Sequence, residues 1–98
     1  MTKKEIKKIQ LKAIIQAVKE NFDIVQDFED TEGHGYFDFS LDLLGKEMQF
    51  QMMRSDFEFM SYDVKGDDFY QEGLILEGAL NSLRDVTLAK LEQEGIIV

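Results

Sequence analysis

The sequence predicts an α+β fold. It has an N-terminal helix, an antiparallel three- to four-stranded meander and a C-terminal helix, with room for a short helix before the last one. Both helices are expected on one face of the sheet. Three observations carry this expectation. An apolar pattern of helical period, free of glycine and proline, runs over residues 3–21. The period switches to two from Phe22, and glycine-bearing turns separate the alternating segments. Helical period returns after residue 68. Turns this short make consecutive strands antiparallel neighbours, and one apolar sheet face calls for the helices to cover it. The whole chain of 98 residues is expected to form one α-β-β-β-(β)-α domain over 1–98.

The first helix opens on Thr2-Lys3-Lys4-Glu5, a Thr-x-x-Glu capping box. Leu11, Ile14, Ile15, Val18 and Phe22 lie along one side and should face the sheet. Ile6, Ile9, Ala13 and Ala17 form a second, weaker stripe that would receive the other helix or serve as a homodimer seam. The first strand is read over Phe22–Glu29, with Phe22, Ile24 and Phe28 inward and Asp23, Asp27 and Glu29 outward; Val25 and Gln26 blur the alternation. Residues 30–35, with Gly33 and Gly35, form the connection to a second strand, Tyr36–Leu43. There Phe37, Phe39, Leu41 and Leu43 oppose Tyr36, Asp38, Ser40 and Asp42. A tight turn at Leu44-Gly45-Lys46 leads to a third strand, where Met48, Phe50 and Met52 oppose Glu47, Gln49 and Gln51.

After a turn at Arg54-Ser55-Asp56, Phe57–Val64 reads as a fourth strand with conflicting parities, which a bulge near Phe59–Met60 would reconcile. Lys65-Gly66-Asp67-Asp68 supplies an N-cap. Phe69, Leu76, Ala79, Leu80, Leu83, Val86, Thr87 and Leu91 then line a helical face up to about Gln93. Gly73 and Gly78 each weaken a helix interior by about 1 kcal/mol relative to alanine, so a break near Gly73 is expected. Gly95 closes the helix as a C-cap, and Ile96-Ile97-Val98 forms an apolar tail.

Composition narrows the function. Without cysteine there is no disulfide, thiolate metal site or cysteine nucleophile, and the single histidine, His34, sits between two glycines in a turn. Asp38 and Asp42 share a strand face but lie ~13 Å apart, too far to hold one ion. Asp63, Asp67 and Asp68 lack the ligand spacing of a calcium loop. The expectation is a non-enzyme with no catalytic residue, no cofactor and no metal. No apolar run is long enough to span a membrane and no leader is evident, which points to a cytoplasmic protein.

The charge is the informative quantity. Residues 1–19 hold six lysines and one glutamate, a net of +5, while residues 20–98 carry −14, for −9 overall. A body this acidic repels nucleic-acid phosphates and attracts basic protein surfaces. With both helices on the apolar side, the other sheet face is open and presents Asp23, Asp27, Tyr36, Asp38, Asp42, Glu47, Gln49 and Gln51, with Ser40 among them and Glu58 nearby. Carboxylates spaced over a sheet can imitate backbone phosphates. These eight residues are the candidate partner-binding site, and the partner is a basic protein surface such as a nucleic-acid-binding cleft.

In element order, size and charge the chain resembles some phage-encoded inhibitors of CRISPR nucleases, which act as decoys for the nuclease's DNA-reading cleft. The likeness is one of outline and carries no residue roles. It implies an anti-CRISPR-like or anti-restriction-like inhibitor. A double-stranded-RNA-binding domain shares the α–β–β–β–α order but binds through basic loops and a basic helix end, which the acidic body here does not offer. The alternative expectation is a self-associating structural or adaptor module joined through Ile6, Ile9, Ala13 and Ala17.

Overall fold

Helix α1 (Lys3–Asn21) begins where the capping box places it: the Thr2 hydroxyl oxygen accepts the Glu5 amide at 3.2 Å, and the Thr2 hydroxyl donates to the Glu5 carboxylate at 3.1 Å. The computed structural model describes residues 1–31, 33–61 and 70–96. Four strands follow α1: β1 (Ile24–Thr31), β2 (Tyr36–Leu43), β3 (Lys46–Met53) and β4 (Phe59–Ser61). The chain ends in α2 (Tyr70–Gln93). The strands pair antiparallel in sequence order, β1-β2-β3-β4.

The core lies between one sheet face and both helices. Ile14 and Val18 of α1, Leu76 and Leu80 of α2, and Phe37, Phe39, Leu41, Phe50, Met52, Phe57 and Phe59 form a single buried cluster. Each of the strand members in it has the inward parity, so α1 and α2 cover the same face, as the sequence predicts. At the centre Phe39 is 1% exposed; it stacks on Phe28 with centroids 4.1 Å apart and on Phe50 at 5.7 Å, and meets Phe59 edge-on. Leu11, Ile15 and Phe22 pack at the margin of this cluster.

Several elements depart from the sequence reading. β1 starts two residues later than predicted and carries two register shifts, between Ile24 and Gln26 and between Gln26 and Glu29. Each slip places one extra residue in β1, so together they move the register by two and restore the facing parity. Ile24 and Phe28 therefore keep the inward side, while Gln26 and Asp27 between them do not follow simple alternation. Among the described residues the fourth strand runs over Phe59–Ser61 and holds no bulge: Phe59↔Met52, Met60↔Gln51 and Ser61↔Phe50 run without a slip. The parity conflict is resolved more simply, because Met60 faces the open side and is 44% exposed. Phe57 takes φ 62°, a left-handed turn that returns its ring to the core. Tyr62, Val64 and the N-cap expected at Lys65–Asp68 lie outside the described residues, as do Phe69, Ile97 and Val98.

α2 is one unbroken helix through Gly73 and Gly78, without the break expected at Gly73. Tertiary contact explains Gly73: a Cβ there would lie 3.0 Å from the Met48 Cε, so the missing side chain lets α2 approach β3 closely. Glu77 and Asn81 fasten α2 to β4. The Ser61 amide donates to Glu77 Oε1 at 2.9 Å, the Phe59 amide donates to Asn81 Oδ1 at 2.8 Å, and the Asn81 side-chain amide donates to the Phe59 carbonyl at 3.0 Å. This shows β4 bonded to the helix on the same side as the core. Ala79 and Val86, read as inward, are exposed, and Leu88 packs on the core instead. Gly95, at φ 86°, ends the helix as expected, with the Ile96 amide donating back to the Leu91 carbonyl at 2.9 Å.

The α1 stripe expected to receive the other helix or serve as a homodimer seam is partly covered within the chain. Ile6 is buried, and Ile9, Ala13 and Ala17 are half-buried, with α1 and α2 in contact. Among the described residues no helix is long and apolar enough to cross a membrane.

Candidate functional site

The open face is built by the pleat of β2 and β3, whose hairpin is closed by a two-residue turn. Leu44 and Gly45 both have positive φ (54° and 84°), the conformation whose twist matches paired strands. Register then places side chains in rows across the sheet. In the row next to that turn, Asp42 faces Glu47 on β3. On its other side the Asp42 amide donates to the Asp23 carbonyl at 2.9 Å, which extends the ladder one residue beyond β1. Asp23, Asp42 and Glu47 thus stand abreast, all exposed. The next row is Gln26, Ser40 and Gln49, and the one after it Glu29, Asp38, Gln51 and Met60. Tyr36 and Met53 come last.

No lysine or arginine occupies any of these positions, and the rows hold five carboxylates: Asp23, Glu29, Asp38, Asp42 and Glu47. Among the described residues no ion pair neutralises Asp23, Asp42 or Glu47. The bases lie elsewhere. Lys46 has the inward parity at the sheet end. Arg54 pairs with Asp30 and covers the Phe37 ring at 4.8 Å, at the opposite end. Lys7 of α1 donates to the Ser55 carbonyl at 2.8 Å and lies 5.9 Å from the Phe57 ring centroid.

Six of the eight predicted site residues, Tyr36, Asp38, Asp42, Glu47, Gln49 and Gln51, stand on β2 and β3 on the open face, with Tyr36, Asp38 and Gln51 half-buried. Asp23 joins them from the loop before β1. Asp27 does not. At the β1 irregularity its carboxylate pairs with Lys19 of α1 at 3.1 Å and accepts the Phe28 amide at 2.7 Å, so it is turned to the helix side. The Lys19 hydrogen bond, followed by the Phe28 amide, holds its carboxyl below the usual carboxylate range. Ser40 also differs from a wet surface residue: it is 0% exposed, and its hydroxyl donates to Glu47 Oε2 at 2.7 Å, fixing that carboxylate in place. His34 is exposed in the β1–β2 turn, where its Nδ1 lies 3.2 Å from the Tyr36 hydroxyl.

Sequence reasoning missed Gln26 and Met60 on this face, because two slips in β1 and a bulge expected in β4 hid their parity. It also passed over Leu44. This side chain is 86% exposed at the tip beside the Asp23–Asp42–Glu47 row, on a backbone conformation that leucine rarely adopts. Its only sequence signal was an apolar residue in a two-residue turn where asparagine or glycine is usual. Comparison with protein-family models, with curated proteins and with solved structures finds no match to this chain.

Proposed function

We propose that this chain is a non-enzymatic, cytoplasmic protein that binds a basic surface of another protein through its open sheet face. In its sharpest form it is a nucleic-acid-mimicking inhibitor of a nuclease or other DNA- or RNA-binding protein, phage anti-CRISPR-like or anti-restriction-like. The observation that supports this reading is the segregation of charge among the described residues: five carboxylates and no base stand in the open-face rows, with three carboxylates abreast and Glu47 held by a buried serine. A basic cleft would exchange phosphate contacts for carboxylate contacts, and long-range attraction would speed the encounter. Leu44 and Tyr36 add apolar and aromatic area that charge alone lacks. The second reading, a self-associating module, draws on α2 rather than on the α1 stripe.

The test is a pull-down from host lysate with the wild-type chain and with a folded Asp38→Lys/Asp42→Lys/Glu47→Lys variant. Captured proteins are then challenged with duplex DNA or RNA. The expected result is a nucleic-acid-handling protein held by the wild type alone, displaced by its own nucleic acid, and released as salt rises from about 50 to about 300 mM. Capture by both chains, or simultaneous binding of the chain and the nucleic acid, overturns the proposal.

A further inference from the structure

Helix α2 has an outward face that the described residues leave uncovered. Ile75 is 73% exposed and Val86 59%, and Ala79, Ser82 and Ala89 between and beyond them are exposed too. These five recur at alternating intervals of four and three residues, the spacing of a helix–helix seam. Asp85 is the one charged residue near the centre of this face, and Arg84 holds it at 2.8 Å. In a chain that is 32% charged, four turns of solvent-side helix with so little charge are unusual.

We infer that this face binds the same face of a second copy, with the two α2 helices antiparallel. Charge placement selects both the partner and the direction. Glu72 and Lys90 are eighteen residues apart, about five turns, so they flank the seam on the same edge. The apolar stripe is centred midway between them. A two-fold axis through that midpoint sets Glu72 of each copy beside the second copy's Lys90, a pairing that parallel helices do not make.

Shape agrees with charge. Small Ala79 and Ser82 lie near the axis, where helices can approach closely. A shallow apolar recess lined by Asn21, Phe22, Ala79, Ser82, Leu83 and Val86 flanks the axis, and the second copy's Ile75 arrives beyond it, between Val86 and Ala89. Because both copies use the same helix face, the contact closes on itself and stops at two copies. One helix face is a small interface, so the dimer is weak and depends on concentration. This inference rests on α2 alone and holds whatever the sheet face binds.

Sedimentation equilibrium tests it, with melting temperature and circular dichroism as folding controls. The wild type should move from 11.4 kDa toward twice that mass as concentration rises to about 1 mM. Ile75→Asp, and independently Val86→Lys, should stay monomeric without loss of fold. Lys90→Glu should weaken association at least about tenfold, and Glu72→Lys/Lys90→Glu, which keeps the net charge of the wild type, should restore it. A wild type that is monomeric throughout overturns the inference. So does a dimer that folded Ile75→Asp and Val86→Lys leave unchanged, or a double swap that fails to rescue Lys90→Glu.

Discussion

Asp42 stands between two like charges, and its neutralisation measures what the acidic row costs the fold. Its amide is committed to the Asp23 carbonyl, so its pairing with Glu47 is of the non-hydrogen-bonded kind, in which side chains are closest and Cα atoms are about 4.5 Å apart. Two unit charges ~5.5 Å apart in water repel by ~0.75 kcal/mol, and physiological salt, with a screening length of ~8 Å, cuts that by about half. With two such neighbours, and allowing for side-chain freedom, Asp42→Asn should raise the unfolding free energy by about 0.5–1.5 kcal/mol at low salt. The gain should fall by more than half near 0.5 M salt, where screening is stronger. Asparagine keeps the size and shape of the side chain, so packing is not altered. Urea unfolding followed by far-ultraviolet circular dichroism at both salt concentrations reads the effect. Glu94→Gln, an exposed glutamate past the end of α2, removes the same net charge away from the row. Equal gains from the two variants would assign the effect to global charge. No gain at low salt, or one that salt leaves untouched, would refute the reasoning about the row. A confirmed gain would mean that the row is kept at the expense of stability, the usual mark of a surface held for binding.

Four further outcomes are expected. Leu44→Asn, which suits the left-handed turn better, should stabilise the hairpin by about 1 kcal/mol in the same assay while weakening capture of the partner. Gly78→Ala, with open space around its Cβ, should gain about 0.5–1 kcal/mol from helix propensity, whereas Gly73→Ala should gain less because Met48 must shift; equal gains would mean that α2 does not press on β3. Phe39→Ala removes the ring at the centre of the aromatic cluster and should cost about 3–5 kcal/mol, a large part of the stability of a small domain, read as a shift of the urea midpoint. Asp27 has a lowered carboxyl pKa, so its contribution is present above the ordinary value of 3.8 and disappears as pH falls through the lower folded value. Asp27→Asn should therefore cost a few tenths of a kcal/mol at pH 7, small because the pair with Lys19 is largely exposed, and progressively less as pH falls below 3.8.

What was legible in the sequence was local. The Thr2–Glu5 box, the alternation of Tyr36–Leu43 against Glu47–Met52 and the glycine at position 95 each state a backbone preference within a few residues, and each is realised. What was not legible depends on contact across the fold. Gly73 reads as a helix breaker until Met48 is seen to fill the space its side chain would need. Asp27 reads as an outward strand residue until the slips in β1 bring it to Lys19. Ser40 has the parity of a wet residue, yet its short side chain is enclosed and spends its hydroxyl on Glu47. In each case tertiary packing overrode a period-based reading. The acidic face survives these corrections because it rests mainly on β2 and β3, whose register has no slip.

The same register explains why the chain's charges do not cancel locally. Lys3, Lys4, Lys8 and Lys12 are exposed on α1, and α1 lies on the covered side of the sheet, so the sheet separates them from the open-face carboxylates. Cations mixed among the carboxylates would form short-range pairs and leave little field at a distance. Cations held behind the sheet leave the carboxylate field intact on one side and give the molecule an electrical direction. A basic cleft then both attracts the chain and turns it, because approach with the lysines leading is repelled. Moving one lysine to the open face should therefore slow association with a basic partner more than deleting one carboxylate does. Gln49→Lys places an ammonium beside Ser40 and within reach of Glu47 on a position that is already exposed. Gln49→Lys and Asp42→Asn each raise the net charge by one unit, from −9 to −8, on the same face. If they slow association in proportion to net charge alone, the orientation argument fails. If Gln49→Lys slows it disproportionately, and the difference vanishes at high salt, the separation of charge across the sheet is what directs the encounter.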